Sequence, residues 1–228
     1  MKNVPPSSPL RIGTRGSPLA LAQAVETQTK LMTAWDWPEE AFEVVVIQTS
    51  GDRIQDRPLR LVGGKGLFTK EIEEQLLDGN IDIAVHSMKD MPTAQPDGLV
   101  LDTYLPREDV RDAFVSPSAY SIASLTQGAR VGSSSLRRRA QLMHVRPDLD
   151  VVEFRGNVQT RLKKLTEGVA ICTFLAMAGL NRLNMTHIAT VAIETEDMTP
   201  VVAHGAIGME RRSNDSASAA VRQPIHHA

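Results

Sequence analysis

The sequence predicts an α/β protein of two domains, each built around a mostly parallel sheet. Short β-branched runs alternate with runs of helical period along most of the chain, a rhythm typical of α/β folds. The length of 228 residues allows one or two domains. Hydrophobic residues make up 42% of the chain and aromatic residues only 4%, so we expect a globular protein with an aliphatic core.

The first half of the chain predicts three strands separated by helices. Ser17 and Pro18 begin a helix as its N-cap and first residue, because serine accepts an amide hydrogen bond there and proline needs no acceptor. Residues 50–66 are charged and glycine-rich, which predicts a mobile loop. In chain order the elements are a strand at 10–14, the helix from Ser17, a strand at 42–49, a helix at 67–79 and a strand at 81–87.

The second half repeats this alternation after a crossover at 103–116. Strands are predicted at 129–133, 151–154 and 169–176, each followed by a helix, and a further strand is predicted within 186–194.

Charge and hydropathy exclude several classes of partner. The net charge is −2, from 25 basic and 27 acidic residues, so the chain has no general attraction for nucleic acid or anionic membranes. No run reaches the roughly 18 apolar residues of a membrane span, and the N-terminus lacks the apolar core of a secretory signal. We therefore expect a cytoplasmic enzyme or binding protein. Its expected partner is a small molecule, and we take the protein to be a monomer.

Metal and disulfide chemistry have little support in the sequence. Cys172 is the single cysteine, which excludes a disulfide framework, and the six histidines lack paired ligand spacing, so no metal is expected. The motif GGKGLF at 63–68 lacks the spacing and the ending of a nucleotide-binding phosphate loop. Cys172 lies in the apolar run 169–176, where a buried and inert thiol is the expected state.

Cationic side chains follow several predicted strands, where open parallel sheets bind their ligands. Each junction pairs a hydroxyl or amide cap with a guanidinium or ammonium group, and helix N-termini and arginine forks both bind carboxylates. The sequence therefore predicts a site for a small polyanion. For any single junction, a simple helix cap beside a solvated arginine remains the alternative. The residues concerned are Arg15, Ser17, Ser87, Lys89, Ser133, Ser135, Arg137, Arg138, Arg139, Arg155, Asn157 and Arg161.

Two further details bear on this site. Three consecutive arginines, 137–139, open a helix, where they oppose the helix dipole and cost stability unless an anion is present. Asp90 is a carboxylate beside Lys89 at a strand end, where basic neighbours keep it ionised. An ionised carboxylate suits the stabilisation of a cationic intermediate better than proton donation. A turn-forming aspartate is the alternative.

Seven motifs carry a family resemblance. In chain order they are IGTRGSPLALAQ, GGKGLFTKEIE, DIAVHSMKDMP, REDVRDAFVS, GSSSLRRRAQL, RGNVQTRL and LAMAGLNRL. With them the chain resembles hydroxymethylbilane synthases, also called porphobilinogen deaminases, from about residue 10 to about residue 212. The resemblance implies two hinged α/β domains like those of type II periplasmic binding proteins, with a third small α+β domain. It also implies the head-to-tail condensation of four porphobilinogen molecules, with loss of ammonia, to 1-hydroxymethylbilane in tetrapyrrole (haem) biosynthesis.

The resemblance assigns roles to individual residues. Asp90 would be the catalytic carboxylate that holds pyrrole N–H groups and stabilises the azafulvenium cation, Phe68 would cover the reacting ring, and residues 50–66 would form a lid. Arg137, Arg138, Arg155 and Arg161 are expected to face one interdomain cleft, with Arg139 nearer solvent. The residues expected to bind carboxylates of substrate and cofactor are Arg15, Ser17, Ser87, Lys89, Ser133, Ser135, Arg137, Arg138, Arg155, Arg161 and Arg182.

The domain division follows from the crossover and from the family-like GAIGMERR near the C-terminus. We place domain 1 at residues 1–105 plus 203–228, and domain 2 at residues 106–202.

The chain departs from the family pattern in one major respect. The family carries a dipyrromethane cofactor on a cysteine of its third domain, in a Gly-Gly-Cys-like loop, and this sequence ends at Ala228 without such a motif. We expect that third domain, and with it the attachment cysteine, to be missing from this chain. The chain would then not assemble the covalent cofactor. Ile171, His204 and Val110 replace the usual Asp, Gln and Pro. The alternative function is a non-catalytic two-domain binding module for a polycarboxylate ligand.

Overall fold

The computed structural model describes residues 5–53 and 66–227, which form two compact units. Unit 1 contains residues 5–53, 66–107 and 206–227, and unit 2 contains residues 108–205. Most of the loop predicted at 50–66, and the first half of GGKGLF, lie outside the described residues. Residues 50–53 form a short helix, so the loop prediction is wrong for them.

The strands within the described residues are β1 (Leu10–Arg15), β2 (Phe42–Ile47), β3 (Ile83–Ser87), β4 (Leu99–Tyr104), β5 (Asp112–Val115), β6 (Arg130–Gly132), β7 (Asp150–Val152), β8 (Cys172–Ala176), β9 (Val191–Ile193) and β10 (Ile207–Arg212). The helices there are α1 (Pro18–Trp35), α2 (Ser50–Arg53), α3 (Lys70–Leu77), α4 (Leu136–Val145), α5 (Val158–Thr166), α6 (Met177–Arg182) and α7 (Ser216–Arg222). Strands and helices alternate from β1 to β3 and from β6 to α6, as the sequence predicts, but β3, β4, β5 and β6 follow one another without an α-helix between them.

Unit 1 is built on a mixed sheet with the strand order β2-β1-β3-β10-β4. β1 runs parallel to β2 and β3, as expected for strands joined through helices. β10 runs antiparallel to both β3 and β4, because the chain re-enters unit 1 beside the end of β3, where Ile207 pairs with Ser87. The C-terminal ends of β1 and β3 therefore lie next to each other at one edge of the sheet.

The core of unit 1 is mainly aliphatic, as the composition predicts, and includes Ile12, Leu31 and Ile83. Trp35 at the end of α1 donates a hydrogen bond from Nε1 to the carbonyl of Val221 at 2.7 Å, which ties α7 to α1. This contact fixes the C-terminal helix on unit 1.

Unit 2 repeats the plan with the strand order β7-β6-β8-β5-β9. β6 runs parallel to β7 and β8, and β5 runs antiparallel to β8 and β9. Phe114 and Phe174 pack at the centre of this sheet, with ring centroids 5.9 Å apart. Each unit thus has a parallel half, whose strand ends carry the predicted site residues, and an antiparallel half.

Candidate functional site

Three predicted site residues of unit 1 lie together around the guanidinium of Arg15, the last residue of β1. The ring of Phe68 stacks on this guanidinium, with 4.1 Å between Cζ and the ring centroid. Nη1 of Arg15 lies 3.9 Å from Oδ2 of Asp90, an ion-pair distance longer than a hydrogen bond. Asp90 itself ends a 3-10 turn directly after β3, and its side chain is 36% exposed. Its carboxylate is therefore accessible to a ligand.

Asp52 of α2 fixes Arg15 in this position and was not predicted. Nε of Arg15 donates to Oδ2 of Asp52 at 3.2 Å, Nη2 contacts Oδ1, and Thr49 Oγ1 donates to Oδ2 at 2.7 Å. Burial alone would raise the pKa of Asp52, but hydrogen bonds from Arg15 and Thr49 outweigh it and lower that pKa. Asp52 is therefore ionised at neutral pH. It lies 37 residues from Arg15, so the local sequence gives no sign of the pair.

The predicted hydroxyl groups of unit 1 have local partners. Ser17 caps α1, where its Oγ accepts from the backbone N–H of Ala20 at 3.2 Å. Ser87, at the end of β3, bonds through Oγ with the side-chain amide of Gln23 at 2.9 Å. Gln23 is buried on α1 and was missed, because a single glutamine in a helical pattern gives no sign of its role. Lys89 is exposed beside Asp90.

A buried ionisable cluster lies behind this site. Nε2 of His86 on β3 lies 3.2 Å from Oε2 of Glu210 on β10, and both side chains are almost fully buried. Glu73 of α3 lies near them, and burial followed by the negative charge of Glu210 raises its pKa. The cluster links α3 to β3. Phe68 lies just before α3, and Asp90 lies just after β3.

In unit 2, the first two arginines of α4 converge on one buried carboxylate. Ser135 caps this helix, accepting from the N–H of Arg138 at 3.4 Å. The side chains of Arg137 and Arg138 both donate to Asp112 at the start of β5. Arg139 is exposed, as predicted, and donates to the carbonyl of Val151 at 2.9 Å. Asp112 therefore supplies, from within the chain, part of the negative charge that the three arginines at the start of α4 require.

Arg161 of unit 2 is held by a backbone carbonyl and not by a carboxylate among the described residues. It is half-buried on α5, and Nε donates to the carbonyl of Gly156 at 2.9 Å. No carboxylate among the described residues lies within ion-pair distance of it. Burial and then the positive charges of Arg138 and Arg155 lower the pKa of Arg161 to about 10. The guanidinium groups of Arg138 and Arg155 therefore lie close enough to repel that of Arg161, an arrangement that favours a bound anion.

Two other predicted residues of unit 2 lie at the end of α6 and at the end of β6. Nη2 of Arg182 donates to the carbonyl of Gly205 at 3.1 Å. Ser133 is buried after β6, and its Oγ accepts from the N–H of Ser135 at 3.3 Å. An open pocket of about 290 Å³ lies at the start of α4. Its lining residues are Ser133, Ser134, Ser135, Leu136, Arg139 and Glu153.

Val110, Ile171 and His204, the three departures from the family pattern, all lie in unit 2. His204 is buried, and its Nδ1 lies 3.0 Å from the carbonyl of Val110, so two of the departures contact each other. Ile171 packs against the core of the unit, and its carbonyl accepts from Ser116 Oγ at 2.8 Å.

Cys172 is fully buried in β8, and burial raises the pKa of its thiol to about 12. The prediction of a buried thiol is confirmed. A thiol with this pKa is almost entirely protonated at neutral pH and does not fit the attachment of a cofactor.

Within residues 5–53 and 66–227, no helix is both long and apolar enough to cross a membrane. No group of three or more His, Cys, Asp or Glu side chains in these ranges is placed to hold a metal ion.

Comparisons with known proteins agree with the sequence motifs. Residues 10–220 match the family model "Porphobilinogen deaminase, dipyromethane cofactor binding domain". The chain is 66% identical over 220 residues to the porphobilinogen deaminase of Paracoccus denitrificans, covering 96% of this chain and 70% of that protein. It is 57% identical to the chloroplastic porphobilinogen deaminase of Pisum sativum, covering 96% of this chain and 60% of that protein. The chain thus spans between three fifths and seven tenths of these relatives.

Solved structures of similar fold are periplasmic binding proteins. A periplasmic substrate-binding protein of an ABC transporter from Coxiella burnetii aligns with a TM-score of 0.53 at 13% identity, over 96% of this chain and 92% of that one. The methionine binding protein MetQ aligns with a TM-score of 0.55 at 11% identity, over 96% of this chain and 89% of that one. The predicted resemblance in fold to periplasmic binding proteins is confirmed, and identities this low bear on the fold alone.

Proposed function

The chain belongs to the porphobilinogen deaminase family, and from that premise we propose that it acts as a hydroxymethylbilane synthase on porphobilinogen. The observation that carries the proposal is the accessible carboxylate of Asp90, 3.9 Å from a guanidinium that Asp52 holds in place. A fixed negative charge at a strand end suits a reaction whose intermediate is a cation.

Asp90 would act when ammonia leaves porphobilinogen. The aminomethyl group leaves in its protonated form: the bond between its carbon and nitrogen breaks as the pyrrole nitrogen donates electrons into the ring, ammonia departs with the bonding electron pair, and an azafulvenium cation remains. The Asp90 carboxylate would accept a hydrogen bond from the pyrrole N–H and stabilise the positive charge, and Nη1 of Arg15 lies 3.9 Å from it. Phe68 would cover the reacting ring with its apolar face.

The cationic groups would bind the acetate and propionate side chains. In unit 2 we assign this role first to Arg161, because no carboxylate among the described residues lies within ion-pair distance of it. The other proposed carboxylate-binding residues are Arg15, Ser17, Ser87, Lys89, Ser133, Ser135, Arg137, Arg138, Arg155 and Arg182. We keep the domain division at 1–105 plus 203–228 and 106–202, and the cytoplasmic monomer, as parts of the proposal.

The residues of this chain suit the binding of the family's dipyrromethane but not its covalent attachment. The clustered guanidinium groups of Arg138, Arg155 and Arg161 suit its side-chain carboxylates. When bound, the dipyrromethane supplies the pyrrole carbon that the first substrate molecule joins. The buried thiol of Cys172 does not suit its attachment. We therefore propose that this chain binds dipyrromethane carboxylates and does not itself form the thioether.

Calorimetry with porphobilinogen tests the binding part of the proposal. Wild type should bind, and Asp90→Asn should bind more weakly because the pyrrole N–H loses a charged acceptor. Asp97→Asn, an exposed aspartate on the following loop, is the matched control and should bind like wild type. Absence of binding by wild type would contradict the proposed function.

The attachment part needs a separate measurement. After incubation with porphobilinogen, intact mass and Ehrlich's reagent should show no covalent pyrrole on wild type. A covalent increment that disappears in Cys172→Ala would show that Cys172 is the attachment site after all.

A non-catalytic binding module is the second candidate, because the buried thiol of Cys172 does not suit the attachment of a cofactor. A binding module would bind porphobilinogen and release it unchanged, whereas a synthase would release ammonia from it.

A further inference from the structure

Asp112 is a fully buried carboxylate in unit 2 to which neither the sequence motifs nor the proposed chemistry assigns a role. Its Oδ1 accepts from Nη2 of Arg138 at 2.6 Å, and its Oδ2 accepts from Nε of the same residue at 3.0 Å. Oδ2 also accepts from Nη2 of Arg137 at 2.7 Å. One carboxylate therefore holds two guanidinium groups, one of them through a bidentate pair.

The outer nitrogens of both arginines are held by backbone carbonyls. Nη1 of Arg138 donates to the carbonyl of Phe174 on β8 at 2.8 Å, and Nη1 of Arg137 donates to the carbonyl of Thr199 at 2.6 Å. Thr199 is itself bonded to α4, because its N–H donates to Oε1 of Gln141 at 2.8 Å. Both guanidinium groups are thus fixed in orientation as well as in position.

The arrangement balances charge at the start of α4. Two arginines near a helix N-terminus are unfavourable alone, because the helix dipole is positive there. Burial would raise the pKa of Asp112, but hydrogen bonds and charge from Arg138 and Arg137 outweigh it and lower that pKa. The three side chains together carry one net positive charge, which leaves the group attractive to an anion.

We propose that Asp112 is a positioning residue that holds Arg137 and Arg138 in the orientation in which they bind a ligand carboxylate. Arg137 has N–H groups left over for a ligand, since its side chain is 21% exposed and uses one N–H at each Nη. A guanidinium group whose orientation is already fixed loses less side-chain entropy when it binds a carboxylate. The inference rests on the proposed function, because it takes the ligand to be porphobilinogen.

Asp112→Asn tests the inference, with Asp148→Asn as the matched control. Asp148 forms a bidentate ion pair with Arg146 at the other end of α4, with both contacts at 2.8 Å. Asp148→Asn therefore removes the charge of an arginine-paired carboxylate, as Asp112→Asn does, but at a position away from Arg137 and Arg138. Calorimetric affinity for porphobilinogen should fall about tenfold or more in Asp112→Asn, since charge-assisted hydrogen bonds lose their geometry. It should stay within about twofold of wild type in Asp148→Asn. An unchanged or increased affinity in Asp112→Asn would overturn the inference.

A ligand-free measurement separates this inference from the proposed function. The Nε–H resonance of Arg138 should exchange slowly with solvent in wild type and in Asp148→Asn, and be lost or fast-exchanging in Asp112→Asn. If it persists in Asp112→Asn, Asp112 does not hold the arginine, whether or not porphobilinogen binds. If wild type shows the resonance but does not bind porphobilinogen, the proposed function fails and the positioning of Arg138 stands.

Asp112→Glu covers the case in which the asparagine variant does not fold. It keeps the charge and moves the carboxylate by one methylene, so the fold should survive while porphobilinogen affinity falls severalfold. Wild-type affinity in Asp112→Glu would contradict a positioning role.

Discussion

Replacing Arg161 with glutamine should stabilise the ligand-free protein while weakening its ligand binding. Arg161 is half-buried near Arg138 and Arg155, and its pKa is lowered to about 10. An ordinary arginine has a pKa of about 12.5, so the charged form of Arg161 is less favourable in the folded state by about 3 kcal/mol. Because arginine is charged in both folded and unfolded states at neutral pH, this cost is present throughout that range.

Part of the gain is offset by contacts that the substitution removes. The bond from Nε of Arg161 to the Gly156 carbonyl contributes about 1 kcal/mol. The aliphatic part of the side chain also loses packing. We therefore expect Arg161→Gln to raise the unfolding free energy by roughly 1–2 kcal/mol, or the Tm by about 2–8 °C for a chain of this size.

Urea unfolding with and without sulfate is the assay. Sulfate should stabilise wild type more than Arg161→Gln, because an anion relieves repulsion that the variant no longer has. Arg139→Gln is the control, since Arg139 is exposed and also donates to one backbone carbonyl. Porphobilinogen affinity should fall about tenfold or more in Arg161→Gln only. A variant less stable than wild type, with an equal response to sulfate, would refute the reasoning.

Three other perturbations test the packing and the buried groups. The pKa of Glu73 is raised above its ordinary value of 4.5 in the folded protein, so the unfolding free energy should fall as the pH rises from about 4.5 towards neutral. Glu73→Gln cannot ionise at this position, so the fall should be smaller in the variant. Gly132→Ala should cost about 1–3 kcal/mol in urea unfolding, because a Cβ there would lie 2.4 Å from the ring of Phe154, and Phe154→Leu should recover part of it. Cys172 should react with Ellman's reagent only after unfolding, and rapid labelling of native protein would contradict its burial.

The local elements could be predicted because their signs lie close together in the sequence. Ser17 followed by Pro18 is sufficient to begin α1, and the strand–helix alternation is sufficient for the parallel halves of both sheets. The antiparallel strands β4, β5 and β10 were not foreseen. Their direction depends on where the chain enters and leaves each unit, which no local pattern encodes.

The positions of the site residues on strand ends followed from the same alternation, but their partners did not. Arg15 and Asp52 are 37 residues apart, and Arg138 and Asp112 are 26 apart, so only the folded chain brings each pair together. The sequence indicated that the arginines of α4 need an anion. It could not indicate that Asp112 supplies part of that negative charge from within the chain.

Ammonia release from porphobilinogen, measured in the presence of a synthetic dipyrromethane that carries acetate and propionate groups, tests the central claim most directly. The soluble dipyrromethane replaces a tethered one, so the measurement does not depend on Cys172. Wild type and the Asp97→Asn control should release ammonia, and Asp90→Asn should be slower by about a hundredfold or more, because the developing cation loses its charged partner. Equal rates in wild type and Asp90→Asn, or no release by wild type that binds porphobilinogen, would contradict the account.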